Sequence, residues 1–170
     1  MTDFQSSLMF DPQLDNVRSS LTGGRMIILS ADAFRSLEEG LYKKFSTGAS
    51  VIILEMGMSY GSMLFEILDK KAKASPEADP VNFRSAMQLL FNSGVGKISF
   101  TGDLDSGKEI SFMISNCAFC DRDLVENNCN LLRGVLVGLM NNLYRRQHKS
   151  SLKCSVQNGA HVCKVDLAGK

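Results

Sequence analysis

The stretch SLKCSVQNGAHVCKV, residues 151–165, carries the pattern on which the fold turns. Two alternating runs flank Asn158-Gly159, a dipeptide that favours a two-residue type I′ turn because both of its positions need positive φ. A hairpin folded there sets Gln157 opposite Ala160, Val156 opposite His161, Ser155 opposite Val162 and Cys154 opposite Cys163. Strand alternation gives Leu152, Cys154, Val156, His161, Cys163 and Val165 one apolar face. It leaves Ser151, Lys153, Ser155, Gln157, Ala160, Val162, Lys164 and Asp166 on a face suited to water.

Directly opposed residues hold their Cβ atoms roughly 4.5–5.5 Å apart, so thiolates at 154 and 163 reach a common tetrahedral zinc with little rearrangement. Two ligands are too few for a structural site. All five cysteines lie between residues 117 and 163. Cys129, with Cys117 or Cys120, completes a set of four if the intervening helix packs on the hairpin face. The same residues also read as plain buried thiols, since free cysteine is among the most buried residue types. His161, one pair along, is a reserve ligand or a satisfied interior histidine.

Upstream, NNCNLLRGVLVGLMNNLYRR reads as a helix with Leu132, Val135, Leu136, Leu139 and Leu143 on one face and Asn127 or Asn128 as its cap. VGKISFTG and EISFMISN read as strands joined by the turn-rich DLDSGK. VNFRSAMQLLFNSG reads as a helix ended by Gly94, preceded by a polar connector, Ser75 to Pro80. Nearer the N-terminus, RMIILS is expected as a buried strand. ADAFRSLEEGLYKKFS follows as a helix, with Phe34, Leu37, Leu41 and Phe45 at helical spacing and Ser30 or Asp32 as cap. VIILEM reads as another strand and GMSYGSMLFEILDKKAK as a further helix. Helices with mostly hairpin-linked strands predict an α+β domain over residues 25–170, behind a polar lead of residues 1–24.

Composition fits that picture. The 170 residues are 44% hydrophobic and 22% charged, near the globular average, and are expected to form one domain. Lys plus Arg number 19 against 18 Asp plus Glu, so no global field draws in nucleic acid or an anionic membrane. The basic cluster Arg145 to Lys149 is expected to face water at a helix C-terminus. No stretch reads as a signal peptide or as the roughly 18 apolar residues of a membrane span, so a cytoplasmic protein with reduced thiols is expected.

Several motifs fall short of chemistry. GDLDSGKE, residues 102–109, nearly spells a phosphate-binding loop, but Glu109 replaces the hydroxyl needed for magnesium, and the loop joins two strands. GMSYG lacks a dinucleotide fingerprint; its glycines suit a tight strand-to-helix turn. His148 and His161 have no readable nucleophile and acid partners. Cys117 and Cys120 form a C-x-x-C pair, whose thiolate the adjoining Asp121 and Asp123 oppose.

The stretch from Asn127 to Val165 resembles the C-terminal part of the vinyl-4-reductase domain family, in which a cysteine precedes a helix with a Gly-x-x-x-Gly-like step and a two-cysteine hairpin follows. Cys129, Gly134, Gly138, Cys154, Gly159 and Cys163 stand at the matching positions. LEMGMSYG looks like the family's strand, glycine turn and helix, which extends the similarity over residues 25–168. The resemblance implies a fold shared with TRAPP subunits and related to nitric-oxide sensor domains. It also implies zinc held by Cys129, Cys154 and Cys163 with a glutamate before the hairpin. This chain has Ser151, Leu152 and Lys153 there, so Cys117 or Cys120 must supply the fourth ligand, or the site is incomplete or metal-free. Reductase activity does not carry over without a cofactor fingerprint. The implied function is a small-molecule sensory module, homodimeric, with structural zinc and an apolar ligand. Met56, Met58, Met63 and Phe65 line its cavity or serve as ordinary core. No DNA-binding or ATPase segment is recognisable, so output is expected to pass through another protein. The rivals are a TRAPP-like interaction scaffold and a thiol redox enzyme using Cys117 and Cys120.

Overall fold

The computed structural model describes residues 8–11, 16–19, 25–26, 30–74, 81–92, 96–119, 129–157 and 160–170. β1 (Leu8–Asp11), β2 (Asn16–Ser19) and β3 (Arg25–Met26) form a small antiparallel sheet in that order. The polar lead therefore holds two strands. The strand expected at 25–30 begins as β3, and residues 27–29 lie outside those described.

α1 (Ala31–Phe45) forms as expected, capped by the Ser30 hydroxyl, which accepts from Ala33 N at 3.1 Å. Its apolar stripe is only partly covered. Leu37 and Phe45 remain exposed, whereas Glu38 is buried.

α2 (Gly48–Ala74) overturns the reading of VIILEM as a strand: residues 51–56 are the first turns of one 27-residue helix, and Gly57 and Gly61 sit inside it. A short apolar run does not by itself separate a buried strand from a buried helix. The buried positions Ala49, Ile53, Gly57, Gly61 and Leu64 recur at helical spacing, which settles it. The glycines serve close approach, not a turn. A Cβ on Gly57 would stand 2.2 Å from the Leu131 carbonyl oxygen, and one on Gly138 would stand 2.1 Å from that of Met58. Gly57 and Gly61 thus meet Gly134 and Gly138 of α4 (Asn130–Tyr144), so that the two backbones touch. α2 is long and apolar enough to cross a membrane by length and composition only, a test that the core helix of a folded domain also passes. Within the fold its glycine face is sealed by α4, while Ile52, Met56, Tyr60 and Met63 stay exposed along one flank.

α3 (Phe83–Asn92) precedes the main sheet, whose strands are β4 (Lys97–Gly102), β5 (Glu109–Ser115), β6 (His148–Gln157) and β7 (Ala160–Gly169). The connector at 75–80 and Gly94 lie outside the described residues. The spatial order is β4-β5-β7-β6, antiparallel throughout. Cys154 pairs with Cys163 and Gln157 with Ala160, the register expected of a two-residue connection. Asn158 and Gly159 themselves are not among the described residues.

Ile98, Ile110, Phe112, Ile114, Cys163, Val165 and Leu167 form the sheet's inner face. They pack against Leu132, Leu136, Leu139 and Met140 of α4 and Met87 and Leu90 of α3. This is the expected α+β fold, an antiparallel sheet with helices against it. Two hairpin positions depart from their assigned face. Val162, given to water, is buried between Ser115 and Ser155 on a central strand, and Val156, given to the core, is 51% exposed near the hairpin tip.

The basic cluster is also partly corrected. Arg145 ends α4 in the left-handed region at φ 51°, but His148 is buried. Its Nδ1 lies 2.9 Å from Asn141 Oδ1 and its Nε2 2.7 Å from the Gly107 carbonyl oxygen. Each ring nitrogen faces an oxygen, so the ring's N–H has an acceptor on whichever nitrogen carries it, and a polar ring is tolerated inside. In the Gly102–Glu109 turn the Asp103 carboxylate accepts from the backbone of Asp105 and Ser106 and from the Ser106 hydroxyl, so those amides bond within the turn.

Candidate metal centre

Four elements bring the cysteines together. β7 carries Cys163 on the inner face and β6 carries Cys154 beside it. Cys117 follows the end of β5, where Asn116 takes a left-handed turn at φ 53° and donates its N–H to the His161 carbonyl at 3.1 Å. Cys129 occupies the N-cap position of α4. The predicted caps, Asn127 and Asn128, lie outside the described residues, and the helix starts behind the cysteine instead. A thiol is a poor cap, and Cys129 makes no side-chain cap bond.

The sulfurs form a chain. Cys117 Sγ lies 3.1 Å from Cys129 Sγ, which lies 2.9 Å from Cys163 Sγ, which lies 3.1 Å from Cys154 Sγ. Cys117, Cys129 and Cys163 are buried, with all three sulfurs within 4.8 Å of one another; Cys154 is half-buried. Cys120 lies outside the described residues. His161 does not join the group of potential ligands.

The donor set fits zinc. Zn–S bonds of about 2.3 Å in a tetrahedron place sulfurs about 3.8 Å apart, so these pairs need to open by under about 1 Å to admit an ion. Cys117, Cys129 and Cys163, all shut off from water, form a group tight enough to hold an ion, while Cys154 stands outside that group with its sulfur 3.1 Å from that of Cys163; a thiol lining closed to water is the character of structural sites.

Sequence reasoning missed Glu38. Burial pushes its carboxyl up to about 7, opposed by the Arg35 guanidinium and reinforced by Cys117. α1 reaches the Cys117 loop through an edge-on contact of Phe34 with Phe119, ring centroids 5.2 Å apart. The signal was available: Glu38 follows Phe34 by four residues and precedes Tyr42 by four, so all three share a helix face.

Among the described residues no cavity lined by all of Met56, Met58, Met63 and Phe65 is seen, and two of the four serve as core instead. Met56 and Met63 are exposed, while Met58 and Phe65 pack against the core. An open groove of ≈ 790 Å³ lies instead between α3 and β4, lined by Asn82, Phe83, Arg84, Met87, Phe100, Leu104 and Asp105. The Phe83 and Phe100 rings meet edge to face with centroids 4.7 Å apart. Tyr144, at the end of α4, donates its hydroxyl to the Leu104 carbonyl at 2.6 Å. Burial raises its phenol pKa, and the Asp103 and Asp105 charges add to this.

No family model and no curated protein matches the sequence. Among solved structures, the phenol-responsive sensory domain of the transcription activator PoxR, determined with phenol, is similar with a TM-score of 0.68 and 16% identity, over 97% of this chain and 86% of that one. A trafficking protein particle complex subunit 3 from Naegleria fowleri, covalently bound to palmitic acid, gives 0.58 and 15%, over 82% and 92%. A vinyl-4-reductase family protein from Methanocaldococcus jannaschii gives 0.54 and 13%, over 85% and 84%. At such identities the likeness establishes a shared fold, the one the cysteine and glycine pattern implied.

Proposed function

We propose that this chain is a non-catalytic small-molecule sensor in which zinc, held by Cys117, Cys129, Cys154 and Cys163, pins α4 to the β6–β7 hairpin. The groove between α3 and β4 is the observation that carries the sensing role. Its volume falls within the range of roughly 300–1,000 Å³ usual for ligand sites. Phe83, Met87, Phe100 and Leu104 supply an apolar, largely aromatic lining, and Arg84, Asn82 and Asp105 supply polar contacts. That lining suits a small aromatic or other apolar molecule with one polar group. The phenol-bound sensory domain of the same fold points the same way.

α4 connects the two sites. Cys129 stands at its start, and Tyr144, at its end, holds the Leu104 carbonyl of the groove lining. A ligand that binds one position of the Leu104 turn better than another shifts α4 by that difference in affinity and no more. Bound zinc would supply a redox-inert tetrahedral crosslink. The residues themselves do the rest: the cysteines fix the helix start, and Tyr144 transmits displacement from the turn.

The exposed stripe Ile52, Met56, Tyr60 and Met63 on α2 is assigned to a second copy of the chain, giving a homodimer, with output through a further protein partner. A cytoplasmic location, where thiols stay reduced, belongs to the same reading. A TRAPP-like scaffold draws on the same stripe. Thiol redox catalysis by Cys117 is disfavoured by its burial against Cys129.

Thermal unfolding with phenol and simple substituted aromatics tests the reading. Saturable stabilisation is expected, and Met87→Arg, which puts a charge into the groove, abolishes it. No stabilisation by any of these compounds, with the dimer intact, favours the scaffold.

A further inference from the structure

We infer that Cys154 and Cys163 are a peroxide-sensitive dithiol, oxidised to a cross-strand disulfide that dismantles the sulfur cluster. The pairing chemistry stands on strand geometry; only its consequence, loss of the ion, rests on the zinc reading above.

The backbone register identifies the pair. Asn116 N donates to the His161 carbonyl, so at residue 161, and again at 163, the β7 backbone bonds toward β5 and faces away from β6. Cys154 and Cys163 are therefore a non-hydrogen-bonded pair of the β6–β7 ladder. Such pairs bring their Cα atoms to about 4.5 Å, inside the separation a disulfide spans. The two sulfurs already lie 3.1 Å apart on one face.

Accessibility sets the order of events. Cys117, Cys129 and Cys163 are buried, whereas Cys154 is half-buried beside the exposed Val156. Of these four described cysteines, a hydroperoxide meets Cys154 first. The Cys154 thiolate attacks one peroxide oxygen; the O–O bond breaks, and the alkoxide or hydroxide leaves as alcohol or water after taking a proton. Cys154 is then a sulfenic acid. The Cys163 thiolate attacks that sulfur, the S–O bond breaks, and hydroxide leaves as water with a second proton. Two thiols and one hydroperoxide thus give one disulfide, one alcohol or water, and one further water, the thiols losing two electrons to the peroxide. Cys117 and Cys129 alone cannot close a tetrahedral site, so zinc departs.

The test treats the zinc-loaded full-length chain, and separately the chelated chain, with hydrogen peroxide near stoichiometry, followed by alkylation and peptide mapping. A chromophoric chelator reports zinc release. The expected product is a Cys154–Cys163 disulfide in both forms, formed in step with zinc release from the loaded form and reversed by dithiothreitol. Cys154→Ser should slow oxidation of the Cys163 thiol about tenfold or more, because Cys163 is itself buried. Cys117→Ser, which weakens metal binding but keeps the pair, should still give the disulfide. A disulfide joining Cys129 to Cys163, or over-oxidation of Cys154 without a disulfide, overturns the inference even if zinc is bound. A Cys154–Cys163 disulfide in protein that never held zinc upholds the pair and removes the metal reading.

Discussion

Replacing Gly134 by alanine tests the helix crossing that holds the cysteine and groove ends of α4 in place. The new Cβ would stand 2.2 Å from the Leu54 carbonyl oxygen and 2.9 Å from Gly57 Cα, both backbone atoms that cannot rotate away. Ordinary contact begins near 3.4 Å, so α2 and α4 must separate by roughly 1 Å, a gap that forfeits a quarter to a half of each contact's dispersion energy. Overpacking of this kind costs about 1–3 kcal/mol, against a gain of up to about 1 kcal/mol from replacing a mid-helix glycine. Gly40→Ala supplies the opposite sign within the same protein. Gly40 sits inside α1, and beyond its own stretch of helix nothing would lie within 4 Å of an added Cβ, so alanine there should stabilise by about 0.5–1 kcal/mol. Urea denaturation with a common slope is the assay. Gly134→Ala is expected below wild type and Gly40→Ala above it; a Gly134→Ala protein as stable as wild type refutes the close crossing.

Four further expectations follow from the same contacts. Cys154→Ser or Cys163→Ser should lower the melting temperature of zinc-loaded protein more than Ser155→Ala, because metal binding is folding energy; equal shifts in differential scanning calorimetry contradict this. In chelated protein, Glu38 keeps its proton to about 7 when folded but loses it near 4.5 when unfolded, so stability falls as pH rises across that window and is level above it. Glu38→Gln should flatten that slope and gain about 1–2 kcal/mol at pH 8, less than the full shift because solvent screens part of it; an unchanged urea midpoint profile contradicts it. Tyr144→Phe, which removes the bond to the Leu104 carbonyl, should cost about 1 kcal/mol and weaken ligand-induced stabilisation, read by thermal unfolding with phenol. Met56→Glu on the exposed α2 stripe should yield monomer in light-scattering chromatography without loss of helix content.

Much of the sheet half was legible because its signals are local. Asn158-Gly159 fixed a register that the pairing of Cys154 with Cys163 reproduces, and alternation placed most hairpin residues on their proper faces. α2 was misread for a physical reason. Val51, Ile52 and Ile53 favour strands, and only the partner glycines on α4, more than seventy residues later, explain why Gly57 and Gly61 belong inside a helix. Of the cysteines named from the sequence, Cys117, Cys129 and Cys163 come together, Cys154 lies beside Cys163, and Cys120 is outside the described residues. Glu38 and the α3–β4 groove depend on long-range packing. Glu38 needed the docking of Phe34 on Phe119, and the groove needed the placement of α3 against Phe100.

X-ray absorption at the zinc edge of the reduced protein, loaded with one equivalent of zinc, bears most directly on the convergence of sulfurs from β5, α4 and the hairpin. A first shell of four sulfurs at about 2.3 Å, falling to three in Cys117→Ser, is the result predicted. A shell of nitrogen and oxygen, or no retained zinc, contradicts it.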